Sequence, residues 1–363
     1  MNKKALIAMS GGVDSSVAAY LTKSLGYEVA GITLKLFDND DIDISREKTC
    51  CSLDDIEDAR SVCARLEIPY YVLNFKDSFK STVISRFIKA YENGYTPNPC
   101  IDCNRFIKFE KLVQRADELG FDYVVTGHYA QIERDEATGR YLLKKAVDPS
   151  KDQSYVLYSL TQPQLKKTLF PLGSLTKDKT RETAERLGLI NAHKRDSQDI
   201  CFVPDGDYAA FIEKYTGKAY PNGDFVDESG RILGEHKGII RYTIGQRKGL
   251  GLALPCPMYV KEKNLAENKV VLCENDALFS RELYADDINL ISVERLEKPI
   301  RVKARVRYNQ KEQPATAEQL DDNTLHVVFD EPQRAICKGQ AVVLYDGDYV
   351  VGGGTIIDKP KQK

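Results

Sequence analysis

Short apolar segments that alternate with helical segments across the first two hundred residues set the strongest limit on the fold. Ala5–Met9, Tyr27–Leu36, Pro69–Phe75 and Asp122–Gly127 have the composition of buried β-strands. Strands that are separated by helices favour a parallel sheet with helices on both faces. We therefore predict a doubly wound α/β domain over residues 1–204. Its predicted helices are Val17–Leu25, one opened by a capping box at Ser52–Asp55, Lys80–Tyr91, Phe106–Leu119 and Lys177–Leu187.

The pattern changes after about residue 205. Tyr208–Tyr215 is the last predicted helix, and short strands and turns follow it. Tyr345–Asp348 and Gly352–Gly354 have the composition of hairpin turns. We predict a small central α+β domain over residues 205–280 and a C-terminal β-barrel over residues 281–363.

Composition excludes several classes of protein. The chain has 52 Lys and Arg against 54 Asp and Glu, a net charge of -2, so it is not a globally basic nucleic-acid binder, although a local basic patch is compatible with this balance. No apolar run approaches the about 18 residues of a membrane-spanning helix, and the first residues do not form a signal peptide. We expect a cytoplasmic protein with no membrane partner.

A glycine-rich loop, Ser10–Ser16 (Ser-Gly-Gly-Val-Asp-Ser-Ser), lies between the first predicted strand and the first helix. Glycines let the backbone approach a ligand closely, and amides at a helix start attract an anion. The loop lacks the Gly-Lys-Ser/Thr of a Walker A motif and the spacing of a dinucleotide-binding motif. These features predict a phosphate-binding loop of another kind.

This loop resembles the signature of the PP-loop ATP pyrophosphatases, which split ATP between its α and β phosphates and adenylate a carbonyl oxygen. The resemblance implies that the chain binds ATP, with Asp14 holding Mg²⁺ on the pyrophosphate oxygens, as a carboxylate suits a hard cation. Leu34 and Gly127, at the ends of predicted strands, would border the adenosine. The implied ATP-binding residues are Ala8, Met9, Ser10, Gly11, Gly12, Val13, Asp14, Ser15, Leu34 and Gly127.

Two cysteine-containing segments, Tyr95–Asn104 and Asp196–Phe202, extend the resemblance to one family. Together with the loop and Lys151–Tyr155, they make the chain similar over essentially its whole length to the bacterial tRNA-specific 2-thiouridylases (the MnmA family). The matching segments are Ser10–Ser15, Thr96–Phe109, Thr126–Tyr129, Lys151–Tyr155, Asp196–Phe202 and Arg241–Gly249.

The family resemblance implies a two-step reaction at the wobble uridine of tRNA. ATP adenylates the C2 oxygen, and a persulfide on Cys201 then delivers sulfur to C2 while AMP leaves. Cys103 resolves the persulfide through a transient disulfide with Cys201. A sulfur-relay protein or a cysteine desulfurase would load Cys201, and we expect the enzyme to be a monomer.

Cys100 departs from the family pattern, because many members have Asp at this position. A thiol there allows an alternative in which Cys100, Cys103 and Cys201 hold an iron–sulfur cluster, and structural zinc or inert thiols are further alternatives. Nine cysteines in a chain without a secretory signal do not indicate a disulfide scaffold. We predict structural roles for the other six, with Cys63, Cys256, Cys273 and Cys337 buried and Cys50 and Cys51 in a loop.

A basic stripe is predicted on one face of the strand Arg301–Tyr308, because residues two apart share a face. Arg301, Lys303, Arg305 and Arg307 form it, with Val302, Ala304 and Val306 behind. The stripe is either an RNA-binding surface or a solvated face with acidic partners. The resemblance places the target base at Asn98, Pro99 and Cys100, and other tRNA contacts at His128, Lys151, Asp152, Gln153, Arg307, Tyr308 and Gln340. His128 is alternatively a buried histidine at a strand end.

Two other functions stay open on the sequence alone. One is a different PP-loop enzyme, either an amide-forming ligase or a thiolase of another base. The other is an ATP-gated tRNA-binding or sulfur-carrier protein without thiolation activity. The Cys103 and Cys201 pair argues against the first, and the intact loop residues argue against the second.

Overall fold

The computed structural model describes residues 2–37, 53–194, 200–203 and 205–360. The predictions for Cys50, Cys51, Ser52 and residues 196–199 therefore fall outside the described residues. Before residue 170 the strands are β1 (Lys4–Ala8), β2 (Glu28–Lys35), β3 (Tyr70–Asn74), β4 (Tyr123–Val125), β5 (Gln131–Arg134), β6 (Tyr141–Lys144) and β7 (Thr168–Leu169). Five of them form a parallel sheet in the order β3-β2-β1-β4-β7. Ala5, Leu6 and Ile7 at its centre are fully buried, as expected for a strand covered on both faces.

Helices cover this sheet, and two of them contain π-helical turns. The helices are α1 (Val13–Ser24), α2 (Leu53–Arg65), α3 (Lys76–Phe79, π-helical Lys80–Ile84, Ser85–Glu92), α4 (Pro99–Asp102, π-helical Cys103–Lys111, Leu112–Glu118), α5 (Ser154–Leu157), α6 (Gln162–Lys166), α7 (Lys177–Arg186) and α8 (Tyr208–Thr216). Short 3₁₀ turns are Ile239–Arg241 and Asn275–Leu278.

Three predicted helix starts were wrong, and one of them is that of α3, which begins at Lys76 rather than at Lys80. Helix α1 begins at Val13, directly after the glycines, rather than at Val17. Helix α4 begins at Pro99 rather than at Phe106, because Asn98 caps it by accepting a hydrogen bond from the Cys100 amide at 3.1 Å and Pro99 suits the first helical position. Cys100 and Cys103 therefore lie on a helix and not in a loop before one.

The C-terminal half forms two β structures. A four-stranded sheet contains β8 (Gly223–Val226), β9 (Ile232–His236), β10 (Tyr259–Asn264) and β11 (Lys269–Cys273). The barrel strands are β12 (Phe279–Leu290), β13 (Ile300–Arg305), β14 (Gln313–Asp321), β15 (Thr324–Arg334), β16 (Ala341–Asp346) and β17 (Tyr349–Ile357). The barrel closes through pairing of β12 with β17. The predicted fold class, an α/β domain followed by a small central domain and a β-barrel, is confirmed.

Two local predictions in the barrel had different outcomes. Asp346 and Tyr349 flank a tight turn between β16 and β17, as predicted for Tyr345–Asp348. Gly352–Gly354 is not a turn but lies inside β17. Strands β16 and β17 approach each other too closely there for side chains, since a Cβ on Gly353 would lie 2.3 Å from the Val342 carbonyl oxygen.

One hydrophobic cluster joins the parallel sheet to the central domain. Phe79, Phe87 and Phe202 pack in it together with Phe225 and Val260 of the four-stranded sheet. The cluster also includes Leu34, with Ala8, Cys103 and Cys201 packed against it. Among the described helices, none has the length and apolar character needed to cross a bilayer.

Candidate active site

The phosphate loop connects β1 to α1 in a conformation that depends on glycine. Gly11 has a φ of +72°, and a Cβ there would lie 2.5 Å from the Asp55 carbonyl oxygen. Ser15 Oγ accepts a hydrogen bond from the Ser10 amide at 3.2 Å and donates one to the Gly12 carbonyl at 3.0 Å. The N-terminus of α1 therefore follows a closed turn at the carboxyl end of β1, the position at which such sheets bind anions.

Lys177 is a residue of this site that the sequence analysis missed. It is the first residue of α7, and its Nζ donates to both carboxylate oxygens of Asp14 at 2.8 Å. The Tyr129 hydroxyl donates to the same carboxylate at 2.8 Å. Lys177 is only 7% exposed, so a buried cation lies directly beside the phosphate loop. Its sequence separation of 163 residues from Asp14 left no local signal.

A second set of contacts holds the loop from the other side. Asn191 Nδ2 donates to the Gly11 carbonyl and to Ser16 Oγ, both at 2.9 Å. Lys194 Nζ lies 2.6 Å from Asp55 and 2.6 Å from Asp58 on α2. The segment that leads toward Cys201 therefore contacts the phosphate loop directly.

The remaining predicted ATP-binding residues lie around this loop. Ala8 ends β1, and the Met9 amide donates to the Ile32 carbonyl at 2.7 Å. Leu34 is near the end of β2. Gly127 follows β4 so closely against α1 that a Cβ would lie 2.7 Å from the Ser15 amide nitrogen. The structure therefore brings the predicted ATP-binding residues together at the carboxyl ends of the parallel strands.

Cys103 and Cys201 border the same hydrophobic cluster. Both are half-buried, whereas Cys100 in the first turn of α4 is exposed. Cys201 lies in a turn. The next residue, Phe202, fixes the turn because its ring packs 5.7 Å from Phe79 and 5.2 Å from Phe87 between centroids. No three His, Cys, Asp or Glu side chains within the described part of the chain are arranged to hold a metal ion.

Of the four other cysteines that the structure describes, three follow the predictions. Cys63, Cys273 and Cys337 are buried, and burial raises the pKa of the Cys63 thiol to about 12. Cys256 was predicted to be buried but is exposed, since it lies in a loop between the central strands.

Several residues assigned to tRNA by resemblance make internal contacts. Asp152 is buried and accepts hydrogen bonds from the Ala146 and Ser154 amides. The Gln153 amide donates to the Tyr129 carbonyl, and Gln153 Oε1 accepts a hydrogen bond from the Tyr129 amide. Lys151 is half-buried. The Tyr308 hydroxyl donates to the Asp152 carbonyl at 3.3 Å. Asn98, Pro99 and Cys100 start helix α4, with Pro99 buried and Cys100 exposed.

Arg307, Gln340 and His128 are also engaged within the protein. Arg307 donates to the Ala335 carbonyl, and Gln340 Nε2 donates to the Thr96 carbonyl at 2.7 Å. His128 is buried with Nδ1 2.7 Å from Thr126 Oγ1, and burial lowers its pKa well below the usual value. This environment favours the structural interpretation of His128, a neutral histidine packed at a strand end.

The basic stripe on β13 is only partly available. Val302, Ala304 and Val306 are buried, as predicted. Arg301 forms a two-pronged pair with Asp330 at 2.8 and 2.7 Å. Arg305 is largely buried, 2.9 Å from Glu312. The interpretation with acidic partners therefore holds for these two arginines, while Lys303 remains exposed.

A parallel sheet with this loop at its first strand defines the class, an ATP-using PP-loop domain joined to two β domains. Family models match along the chain: a "tRNA methyl transferase HUP domain" over residues 3–205, a "tRNA methyl transferase PRC-barrel domain" over residues 209–274 and an "Aminomethyltransferase beta-barrel domain" over residues 280–356.

Curated relatives match from end to end. The tRNA-specific 2-thiouridylase MnmA of Clostridioides difficile is 55% identical over 356 residues, which cover 98% of each chain. That of Acetivibrio thermocellus is 54% identical, covering 98% of this chain and 99% of its own. This chain belongs to the family of tRNA-specific 2-thiouridylases. Among solved structures, a 4-thiouridine synthetase–RNA complex with bound ATP is 19% identical with a TM-score of 0.37, covering 59% of this chain and 50% of that one.

Proposed function

We propose that this chain catalyses ATP-dependent 2-thiolation of the wobble uridine of tRNA, the activity that the names of its relatives describe. One structural observation supports it above the others. Ala8 and Leu34 at the predicted nucleotide edge and the thiol-bearing Cys103 and Cys201 pack on one hydrophobic cluster. A common cluster of this kind is what the reaction requires, because the activating nucleotide and the sulfur carrier must act on one substrate atom.

The first step is adenylation. The uridine O2 attacks the α-phosphorus, and pyrophosphate leaves toward the loop Ser10–Ser15. Bound Mg²⁺ would neutralise the pyrophosphate charge, and the partly exposed Asp14 carboxylate fits it because hard cations take oxygen ligands. Lys177, whose ammonium lies beside this loop, would hold a phosphate oxygen.

The second step transfers sulfur. The terminal persulfide sulfur on Cys201 attacks C2 and expels AMP. The Cys103 thiolate attacks Cys201 Sγ, so that the persulfide S–S bond breaks and a Cys103–Cys201 disulfide forms while the sulfur stays on C2. An external thiol reductant supplies two electrons to reopen that disulfide. No step needs a redox metal.

Substitution of Cys201 tests this assignment. Cys201→Ser, given ATP, a persulfide donor and unmodified tRNA, should form less than about 1% of the wild-type 2-thiouridine and still release pyrophosphate. Cys256→Ser is the matched control, since Cys256 is also a thiol but lies exposed in a loop, and it should keep full activity. Full thiolation by Cys201→Ser would contradict the mechanism.

Iron analysis distinguishes the iron–sulfur alternative from the persulfide route. Cys100→Asp restores the residue that is common in the family, so the persulfide route should tolerate it, whereas a cluster held by three thiolates would lose iron. A colourless, iron-free enzyme that thiolates tRNA after anaerobic purification would exclude the cluster. We further propose a monomeric cytoplasmic enzyme that is loaded by a sulfur-relay protein or a cysteine desulfurase.

A further inference from the structure

A cleft of about 230 Å³ lies between the α/β domain and the barrel, apart from the phosphate loop. We name it the interdomain cleft. Helix α3 contributes Arg86 and Lys89, Asn93 follows that helix, and Asn98 stands at the start of α4. The barrel side is formed by Gly339, Ala341 and Thr355. The cleft is small for a cofactor but large enough for part of one nucleotide.

The walls of the cleft are held rigidly. The Thr96 amide donates to the Lys338 carbonyl at 2.9 Å, and Gln340 Nε2 donates to the Thr96 carbonyl at 2.7 Å. Gly339 has a φ of +85°, and a Cβ there would lie 2.9 Å from Tyr95 Cβ. The loop that leads to Asn98 is thus fixed to the barrel before any ligand binds, which lowers the ordering cost of binding.

The charge of the cleft favours a phosphate. Arg86 pairs with Asp102 at 3.2 Å, so these two lining charges compensate each other. Lys89 is exposed and has no ion pair among the described residues, which leaves one positive charge in the cleft. The amides of Asn93 and Asn98 add neutral groups that suit ribose hydroxyls and base edges.

We propose that the interdomain cleft binds the nucleotide adjacent to the target uridine, with its phosphate at Lys89. The inference rests on the proposed function, because Asn98 lines the cleft and is also one of the residues that the family resemblance assigns to the target base. An RNA loop distorted to present one base exposes its neighbours, and protein pockets bind such unstacked nucleotides.

Binding of unmodified tRNA to Lys89→Ala and Asn93→Asp tests the proposal. Kd should rise about 3- to 10-fold in each, and Lys89→Ala should reduce the slope of log K against log salt by about one. At saturating tRNA the thiolation rate should stay at the wild-type value. Lys166→Ala is the matched control, an exposed lysine on α6 outside the cleft, and it should change neither quantity.

Two results would overturn the proposal. One is wild-type Kd and salt slope in both cleft variants. The other is slower sulfur loading of Cys201 with unchanged tRNA affinity, which would identify the cleft as a donor-protein surface. Absence of 2-thiouridine with the wild-type enzyme would refute the proposed function instead, and the binding measurements would still decide the role of the cleft.

Discussion

Lys177 is the residue whose environment best allows a catalytic role to be distinguished from a structural one. Its ammonium is buried against Asp14, which puts a cation directly beside the loop proposed to hold the phosphates. Lys177→Met should lower the rate of ATP-dependent pyrophosphate release by about 10²-fold, the usual effect of removing one donor to a developing charge. Quantification of pyrophosphate released in single-turnover reactions with tRNA checks this.

Lys179 provides the comparison on the same helix. It is exposed and pairs with Glu182, so Lys179→Met should leave pyrophosphate release within twofold of the wild-type rate, an effect of less than about 0.5 kcal/mol. Lys177→Arg should restore part of the lost rate, because it keeps a donor of the same charge. A wild-type rate in Lys177→Met would refute the assignment.

Residue types alone were enough to predict part of the site. Asp14, the two glycines and the cysteines were assigned to it from short motifs, because their residue types suggest particular chemical roles. Lys177 and Asn191 have ordinary helix and loop neighbours, and their roles arise only from contacts with a loop more than 160 positions away. Such roles depend on tertiary distance, which a local pattern does not contain.

At the scale of elements, strand β13 has two arginines on one face that differ in how deeply they are buried. Arg305 is largely buried between Glu312 and Asp152, whereas Arg301 pairs with Asp330 at the surface. Arg305→Met should lower the free energy of unfolding by about 3 kcal/mol, because it takes a guanidinium away from two buried carboxylates. Arg301→Met should lower it much less, since solvent screens that pair.

Urea unfolding of the two variants measures the difference. Lys145 also contacts Glu312 at 2.7 Å and limits the loss in Arg305→Met without removing it. Equal destabilisation of the two variants would show that Arg305 is solvated. Alternation along the strand predicted which residues share a face, but which of them a neighbouring loop covers depends on the tertiary fold.

On the scale of the whole molecule, the elements mix across the predicted domain boundaries. The hairpin of β5 and β6 comes from the first 204 residues but extends the barrel sheet through pairing of β6 with β17. The cluster around Phe202 includes side chains of the central sheet. Local periodicity predicted the class of each domain, but pairings between distant segments are set by the final packing.

The contribution of Lys263 to the pH dependence of stability tests this shared packing. Its Nζ donates to the Tyr242 carbonyl at 3.0 Å and lies 6.0 Å from the centre of the Tyr91 ring, where burial lowers its pKa to about 8. An unfolded lysine has a pKa of about 10.4. Between about pH 8 and pH 10.4 the unfolded chain therefore binds more protons, so this residue makes stability rise with pH in that window. Below pH 8 the full penalty of the buried charge persists.

Lys263→Met removes that penalty. Its free energy of unfolding relative to wild type should fall by about 2–3 kcal/mol between pH 7 and pH 10, because the advantage of the neutral side chain disappears once Lys263 itself loses its proton. The comparison with wild type at each pH cancels the titration of every other group. A flat difference for Lys263→Met would mean that water reaches Lys263, and that the central sheet and the α/β domain do not exclude solvent where they meet.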